Sequence, residues 1–249
     1  MSVWKPKFTL RTLFVVLTIS AMWLVYHTNG ARRQRIAVEA IEAAGGRVRY
    51  DYQRTLANAG DGEAALPGPS WLHSLLGDDF FRGVVEVDWN SKNAFGSEEL
   101  SQLGSLPSLD TLNLNFSGVN DSNLAEISNL RQLKRLHLEQ CTGVTDVGLT
   151  HVSHLANLEY LSLLATGCSD KGIGENIPKL TKLQYLDLAG VPITNDTATL
   201  LCQLDDLNFV HLGRVGHRAK FDLSSAVASL RSARPTCTVN YWAPVSSEQ

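Results

Sequence analysis

Residues 130–149 read LRQLKRLHLEQCTGVTDVGL, and this stretch decides how the chain folds. It opens with leucines in the pattern L-x-x-L-x-x-L-x-L, carried here by Leu130, Leu133, Leu136 and Leu138. The same pattern starts every 24 or 25 residues, at Leu106, Leu130, Leu155, Leu180 and, in degenerate form, Leu204. A fixed period in this range predicts a stack of similar units, each burying its apolar face against the next.

Each repeat predicts its own local structure. Strand side chains alternate, so Leu136 and Leu138 point inward while Arg135 and His137 point outward. The second half of the repeat starts a convex-side helix, whose first N–H groups we expect to be capped by Asp121, Thr145–Asp146 and Ser169–Asp170. The helix pattern is weakest near Val191–Asn195, where Asn195 replaces the capping aspartate. We therefore predict an α/β leucine-rich repeat solenoid, a horseshoe of about five repeats with parallel strands on its concave face and a cap at each end.

Two resemblances accompany the repeat. The run LxxLxxLxLxxCxxVTDxGL, at Leu130–Leu149, resembles the cysteine-containing leucine-rich repeats best known from F-box proteins, over roughly residues 80–218. The runs FTLRTLFVVLTISAMWL, RRQRIAVEAIEAAGGRVRYDY and WLHSLLGDDFF look like a group of bacterial, N-terminally membrane-anchored leucine-rich repeat proteins of unassigned function. The second resemblance implies a short N-terminal helix followed by a repeat domain, with no catalytic residues to carry over.

The N-terminal segment is apolar enough to be a membrane anchor. Residues 12–26 carry no charge, and counting back to Phe8 gives a stretch long enough to cross a bilayer. We predict membrane contact through residues 8–27, with Trp23 and Tyr26 at the interface. A cleaved signal peptide ending near Thr28-Asn29-Gly30 and a buried core helix are the alternatives.

The orientation of this predicted anchor is not decided by its flanking charges. Lys5, Lys7 and Arg11 precede it, and Arg32, Arg33 and Arg35 follow it, so the positive-inside count is a tie. We expect a single-pass protein of the cell membrane, with a lean towards an extracytoplasmic repeat domain.

The chain divides into four predicted segments, an anchor at 1–30, an N-terminal cap at 31–79, repeats at 80–218 and a C-terminal cap and tail at 219–249. In the N-terminal cap we expect a helix at 34–44, a strand at 48–52, a loop at 53–70 and a short helical turn at 71–77. In the C-terminal cap we expect a helix at 221–231 and a closing strand at 236–242.

Composition narrows the functional classes. A net charge of −3 and a pI near 6.2 give no electrostatic case for nucleic acid. The four scattered cysteines include no C-x-x-C pair, which argues against structural zinc, and no cofactor motif is present. His151 and His154 lie three apart on a helix, so a two-histidine metal site remains open beside a solvated face, but no third ligand is evident. His137 and Cys141 are predicted to point in different directions, so we expect no catalytic pair and no enzyme.

The outward strand positions define the candidate binding face. The first column of side chains comprises Thr111, Arg135, Tyr160, Tyr185 and Phe209; the second comprises Asn113, His137, Ser162, Asp187 and His211. Aromatic side chains with polar neighbours are typical of binding hot spots. We predict partner contacts at Arg135, His137, Tyr160, Ser162, Tyr185, Asp187, Phe209 and His211. The alternative is a ladder of stacked side chains that covers the sheet without a ligand.

The remaining expectations concern the cysteines and the function. Cys141 and Cys168 occupy small buried repeat positions, and a disulfide between them is conceivable in an oxidising compartment. We expect a membrane-anchored protein-interaction module that binds a polypeptide or cell-envelope partner. The alternatives are a ubiquitin-ligase substrate receptor, suggested by the F-box resemblance, and a structural envelope protein that self-associates.

Overall fold

A computed structural model describes residues 9–57, 70–89, 96–213 and 223–241. Its helices are α1 (Leu10–Ala43), α2 (Asp51–Ala57), α3 (Ser70–Leu76), α4 (Ser97–Gln102), α5 (Asp121–Ile127), α6 (Asp146–Val152), α7 (Asp170–Asn176), α8 (Asn195–Leu200) and α9 (Ser224–Ala233). Its strands are β1 (Arg47–Tyr50), β2 (Val84–Asp88), β3 (Thr111–Asn113), β4 (Arg135–His137), β5 (Tyr160–Ser162), β6 (Tyr185–Asp187), β7 (Phe209–Leu212) and β8 (Thr238–Tyr241).

The strands form one eight-stranded sheet in the order in which they occur in the chain. Strands β2 to β8 pair in parallel, and β1 closes the N-terminal end by pairing antiparallel with β2. The register advances by one repeat at each step, so that Leu112, Leu136, Leu161 and Leu186 lie side by side. Helices need more room than strands when they stack, so the strand side of the array is its concave side. The predicted leucine-rich repeat solenoid is confirmed.

The repeat leucines form a single continuous core. Every leucine of the four full patterns is buried, including Leu109, Leu133, Leu158 and Leu183. The convex helices add Leu124 and Ile127 from α5 and Leu149 and Val152 from α6, as their spacing predicts. Each repeat therefore has its apolar face covered on both sides by its neighbours, which is the source of stability in a stacked array.

A tight turn follows each of the central strands. Phe116, Gln140, Ala165 and Gly190 occupy equivalent repeat positions, and all four have a positive φ of 54–80°. This left-handed conformation suits glycine best, yet only the last of the four is glycine. The turns continue the sheet's hydrogen-bond ladder, since the amide of Gln140 donates to the Leu164 carbonyl at 2.7 Å.

The aspartates at the helix starts act between repeats, which corrects the expectation that they cap their own helices. The caps of α5, α6 and α7 are Asn120, Thr145 and Ser169, and each aspartate is the first helical residue. The carboxylates of these aspartates reach forward by one repeat. Asp121 Oδ1 accepts hydrogen bonds from the amides of Thr145 and Gly148, at 2.8 and 2.9 Å.

The same link recurs along the array. The Asp146 carboxylate accepts from the amide and hydroxyl of Ser169, and Asp170 accepts from those of Thr194. At the fourth position the helix that the sequence left least certain does form, capped by Thr194. There Asn195 Oδ1 accepts from the amide of Ala226, which joins the array to the C-terminal helix α9 at 3.0 Å.

Glycine at the second position after two of these aspartates makes room for the link. A Cβ atom added to Gly148 would collide with the Asp121 carboxylate, and one added to Gly172 would collide with Asp146. Both glycines are buried inside short helices, where glycine is otherwise unfavourable. The D-x-G spacing is therefore a packing requirement between neighbouring helices.

The N-terminal region differs from the prediction in its continuity. Helix α1 runs without a break from Leu10 to Ala43, so the expected anchor and the expected cap helix are one element. The predicted boundary at residue 30 falls inside this helix. Along the described chain, α1 is the one helix long and apolar enough to cross a membrane. Its apolar window is not buried in the structure, which contradicts the core-helix alternative.

The C-terminal third of α1 is docked on the repeat domain. Its buried residues are Gln34, Ala37, Val38 and Ile41. The Gln34 side chain donates to the carbonyl of Arg82 at 2.8 Å and accepts from the amide of Val84 at 3.3 Å. These bonds tie the helix to the first strand of the parallel sheet.

The rest of the N-terminal cap is more helical than predicted. Strand β1 ends at Tyr50, and α2 begins at Asp51, inside the expected strand and before the expected loop. The amide of Asp51 bonds to the carbonyl of Gly83, which turns the chain at this point. Residues 58–69 of the expected loop, together with Phe221 and Trp242 of the expected C-terminal elements, lie outside the described residues.

Candidate functional site

The candidate binding face is built by strands β4 to β7. The register sets Arg135 beside Tyr160, Tyr160 beside Tyr185 and Tyr185 beside Phe209. Parallel strands place equivalent residues about 4.8 Å apart. Aromatic side chains at this spacing stack on one another when they adopt the same rotamer.

The rings do stack. The centroids of Tyr160 and Tyr185 lie 4.3 Å apart at an interplanar angle of 10°, and those of Tyr185 and Phe209 lie 4.6 Å apart at 4°. His137, from the second column, extends the row at 4.5 Å from Tyr160 with a tilt of 32°. We call these four side chains the aromatic row: His137, Tyr160, Tyr185 and Phe209. This geometry is compatible with both interpretations of the column, a partner-binding face and a ladder without a ligand, because stacked rings still expose their outer edges to solvent.

Stacking determines which part of each ring a partner can reach. The two faces of Tyr185 are covered by its neighbours, and all four members of the row are half-buried. Burial raises the pKa of the Tyr160 and Tyr185 phenols, and the Asp187 carboxylate raises both further. The row is therefore uncharged on the tyrosine side at neutral pH and offers ring edges and neutral hydroxyl groups.

Two of the predicted contact residues have structural roles in the second column. Ser162 has no exposed surface, at 0%, and its hydroxyl donates to Glu139 Oε1 at 3.3 Å. Asp187 is also buried, and its Oδ1 accepts from the amide of Ala189 at 2.8 Å, which fixes the turn after β6. Alternation along a strand shows which way these side chains point but not how deeply their neighbours cover them.

His211 is the accessible member of the pair at the C-terminal end. Its Nδ1 lies 3.4 Å from Asp187 Oδ1, and its side chain is half-buried. The buried carboxylate thus orients the imidazole at the rim of the aromatic row. Of the two side chains, His211 is the more exposed, at 32% against 10% for Asp187.

Arg135 lies at the other end of the row and is exposed. Its Nε donates to Thr111 Oγ1 at 3.2 Å, and Thr111 in turn donates to Asp110 at 2.7 Å. Arg54 of α2 completes this network with two hydrogen bonds to Asp110, at 2.6 and 2.8 Å. The sequence did not indicate Arg54, because residue 54 lies in the stretch expected to be a loop.

The ion pair between Arg54 and Asp110 is favourable in its setting. Burial alone would raise the pKa of Asp110, but hydrogen bonds from Arg54 and Thr111 outweigh this effect and lower it. The charge of Arg54 is thereby neutralised within the protein. Arg135, in contrast, is exposed and has no carboxylate within salt-bridge distance among the described residues.

His137 is the member of the aromatic row at the end nearest Arg135. Burial lowers the pKa of His137, and the nearby carboxylates of Glu139 and Glu86 offset only part of this effect. The imidazole is consequently neutral at pH 7. It contributes a flat, neutral ring to the surface and no permanent charge.

The cysteines and convex histidines do not form a reactive cluster. The Cys141 thiol is buried and donates to the carbonyl of Leu114 at 3.1 Å, and burial raises the pKa of both Cys141 and Cys168. All four cysteines are free thiols in the structure. Within the described residues, no three side chains of the metal-binding types are grouped to hold an ion, and His151 and His154 remain on the convex layer.

Comparison with known proteins gives the following results. No protein-family model matches the sequence, and no curated protein matches it. Among solved structures, an internalin from Listeria monocytogenes is 21% identical, with a TM-score of 0.39 over 61% of this chain and 51% of the internalin. The plant peptide hormone receptor RGFR1, solved in complex with RGF2, is 15% identical, with a TM-score of 0.35 over 58% of this chain and 22% of the receptor. The chain thus spans about half the length of the first and under a quarter of the second.

The class of protein follows from the chain's own strand pairing and core. Parallel strands in register at 24- or 25-residue intervals, backed by short helices over a leucine core, define a leucine-rich repeat protein.

Proposed function

We propose that the protein is a membrane-anchored interaction module that binds a polypeptide through the concave face of its repeats. The observation that carries this proposal is the aromatic row, half-buried in the middle of the sheet, with Arg135 at one end and His211 at the other. Aromatic and arginine side chains are the residue types that dominate binding hot spots. The proposed role is binding rather than catalysis.

The chemistry of the face favours a polypeptide over other ligands. Sugar binding by aromatic residues uses open ring faces, and here the faces of Tyr185 are covered by Tyr160 and Phe209. Nucleic acid would need a basic surface, whereas the net charge is −3 and Arg47 and Arg49 lie beside Asp88 and Glu86. In the described part of the face, ring edges, neutral hydroxyls and the exposed Arg135 suit a peptide that carries apolar side chains.

Anchoring is supported by the exposed half of α1. From Leu10 to Tyr26 this helix carries apolar side chains that contact water in the absence of a membrane. Such a stretch is about 25 Å long, close to the thickness of a bilayer's hydrocarbon core when its flanking residues are added. Retention of the segment agrees with its continuation into the docked part of α1, because cleavage near Gly30 would cut a formed helix.

The binding face is tested by partner capture from membranes with matched variants. Tyr160→Ala with Tyr185→Ala removes the centre of the row, and Val147→Ala removes an apolar side chain of the convex face that is 59% exposed. We expect the double variant to lose most of the polypeptide partner that the wild-type protein captures, while the control variant still captures it. Circular dichroism checks that both variants are folded; unchanged capture by a folded double variant would reject this face.

Self-association is the alternative that one observation favours. Strand β8 pairs with β7 on one side, and no other described strand covers its opposite edge. An open edge can pair with another chain. Sedimentation of the detergent-solubilised full chain distinguishes the two, since a monomer that still captures its partner excludes self-association as the function.

The ubiquitin-ligase alternative gains no such support. Between α1 and β2 the described residues form one strand, two seven-residue helices and a short turn at Asp78–Phe80. Strand β1 pairs with β2, Arg54 of α2 bonds to Asp110 of the repeats, and α3 packs on the turn and Phe81. These elements do not form the separate helical segment that an F-box would require.

A further inference from the structure

Helix α3 carries an apolar face that the described residues leave exposed. Trp71 is 65% exposed and Leu75 is 71% exposed, and they lie four residues apart on one side of the helix. The opposite side is docked through His73, whose ring lies 4.4 Å from that of Phe81 and whose Nδ1 lies 3.2 Å from Asp78 Oδ1. The docked side fixes the direction in which Trp71 and Leu75 point.

This face lies beside the end of the apolar half of α1. The ring of Phe80 contacts Trp23 at 6.2 Å and His27 at 6.0 Å, and Phe80 and Phe81 contact each other at 5.0 Å. A chain of ring contacts therefore connects α3, through Phe81 and Phe80, to the last turn of the apolar segment. These contacts hold α3 near the end of that segment.

The charges at this level complement a membrane surface. Arg32 and Arg33 are exposed on α1 and follow Tyr26 by about 9 Å of helix rise. Asp79 lies near Arg82, and Asp78 lies near His73, so the acidic groups of this region have cationic or donor partners. Two accessible arginines at about a Debye length from the interface attract anionic headgroups.

We propose that α3 is a second membrane contact, which inserts Trp71 and Leu75 into the interface of an anionic bilayer on the repeat-domain side. This inference rests on the membrane anchoring proposed above. Tryptophan and leucine on one face of an amphipathic helix are suited to this depth, because they bury apolar area without crossing the membrane. With two contacts, the repeat domain is held against the bilayer at a defined tilt.

The test uses the full chain in nanodiscs and a photo-crosslinking residue, p-benzoylphenylalanine, at one of three sites. Val16 reports the anchor, Leu75 reports α3, and Val147 is the exposed apolar control on the convex face. We expect lipid adducts at Val16 and Leu75, with a yield at Leu75 about tenfold above that at Val147. Adducts at Val16 with only the control yield at Leu75 would overturn the role of α3 and leave the anchor intact. A lack of adducts at Val16 would overturn the anchoring and this inference together.

Headgroup charge provides an independent readout. The adduct yield at Leu75 is compared between discs of phosphatidylcholine alone and discs that also contain phosphatidylglycerol. We expect the anionic lipid to raise the yield about threefold, and we expect Arg32→Gln with Arg33→Gln to abolish the increase. An equal yield in both lipids would refute the anionic preference.

Discussion

The side chain of Asp146 holds Ser169, a residue of the next repeat. Asp146 Oδ2 accepts from the Ser169 hydroxyl at 2.6 Å, and Oδ1 accepts from the Ser169 amide at 2.7 Å. Ser169 is in turn the cap of α7. Each aspartate thus secures the start of the following helix, so that the repeats are joined by hydrogen bonds as well as by apolar packing.

Removing one of these links should weaken the whole array. Asp146→Ala deletes two hydrogen bonds to a charged acceptor and leaves the partly buried Ser169 amide without an acceptor. We expect this to lower the free energy of unfolding by about 2–3 kcal/mol. Urea denaturation followed by circular dichroism measures this. Glu126→Ala, at an exposed carboxylate of the same helix layer, is the matched control, and an equal effect of the two would contradict the inter-repeat role.

The glycine that faces an aspartate should tolerate no side chain while that aspartate is present. We expect Gly148→Ala to destabilise the fold by about 1–3 kcal/mol because its Cβ meets the Asp121 carboxylate and, less closely, the Leu124 side chain. Gly104→Ala, where a Cβ would meet no atom within 4 Å, should be near neutral. In the Asp121→Ala background, Gly148→Ala should be less harmful, and strictly additive free energies would argue against a direct collision.

His137 should make stability depend on pH in the weakly acidic range. Burial lowers its pKa in the folded state below the unfolded value of about 6.5, so the unfolded chain binds more protons as the pH falls. Stability from the neutral ring is therefore complete above about pH 6.5 and is lost as the pH falls towards the folded pKa, with a slope of at most about 1.4 kcal/mol per pH unit. Thermal melts at pH 6.5 and below compare the loss of stability in the wild type with that in His137→Gln. His154→Gln is the control.

The tyrosines of the aromatic row should ionise at a higher pH than exposed tyrosines do. Burial raises the pKa of Tyr160 and Tyr185 above 10, so the folded state holds these protons longer than the unfolded state does. Their contribution to stability is present below about pH 10 and is lost as the pH rises through the folded pKa. Tyrosinate absorbance should show a late step that Tyr160→Phe diminishes; a step of unchanged size would place the late phenol elsewhere.

Arg54 should fasten the N-terminal cap to the repeats. Arg54→Ala removes two hydrogen bonds to Asp110 and one to Thr111, and we expect a loss of about 1 kcal/mol because the pair is only partly buried. Hydrogen exchange of β1 and β3 would localise the effect. Protection that changes only at the C-terminal end of the array would be inconsistent with this role.

The repeat made much of this architecture predictable, because period and alternation are properties of the sequence. The buried leucines and the aromatic column at Tyr160, Tyr185 and Phe209 follow from it directly. The degree of burial of each side chain does not follow from period and alternation. Ser162 and Asp187 were therefore expected to be accessible, and they are buried. A carboxylate's reach across 24 residues, as from Asp121 to Thr145, depends on the distance between neighbouring helices and not on the local capping rule.

The cap was less predictable because it does not repeat. The sequence placed the boundary between anchor and cap after Gly30, yet α1 continues through it, since the helix on either side is long enough to absorb one unfavourable glycine. Arg54 is another example, because its partner Asp110 is remote in sequence. The contact residues proposed for the binding face remain predictions.

The uninterrupted course of α1 also bears on how a partner is encountered. A flexible linker would let the repeat domain adopt many orientations relative to the anchoring segment. A continuous helix docked through Gln34 and Ile41 fixes one orientation. For a chain held in a bilayer in this way, a ligand confined to the same thin layer meets the face at a high effective concentration, and a dilute soluble ligand has no such advantage. Modest affinity for each molecule would then suffice for lasting association between neighbours in one membrane.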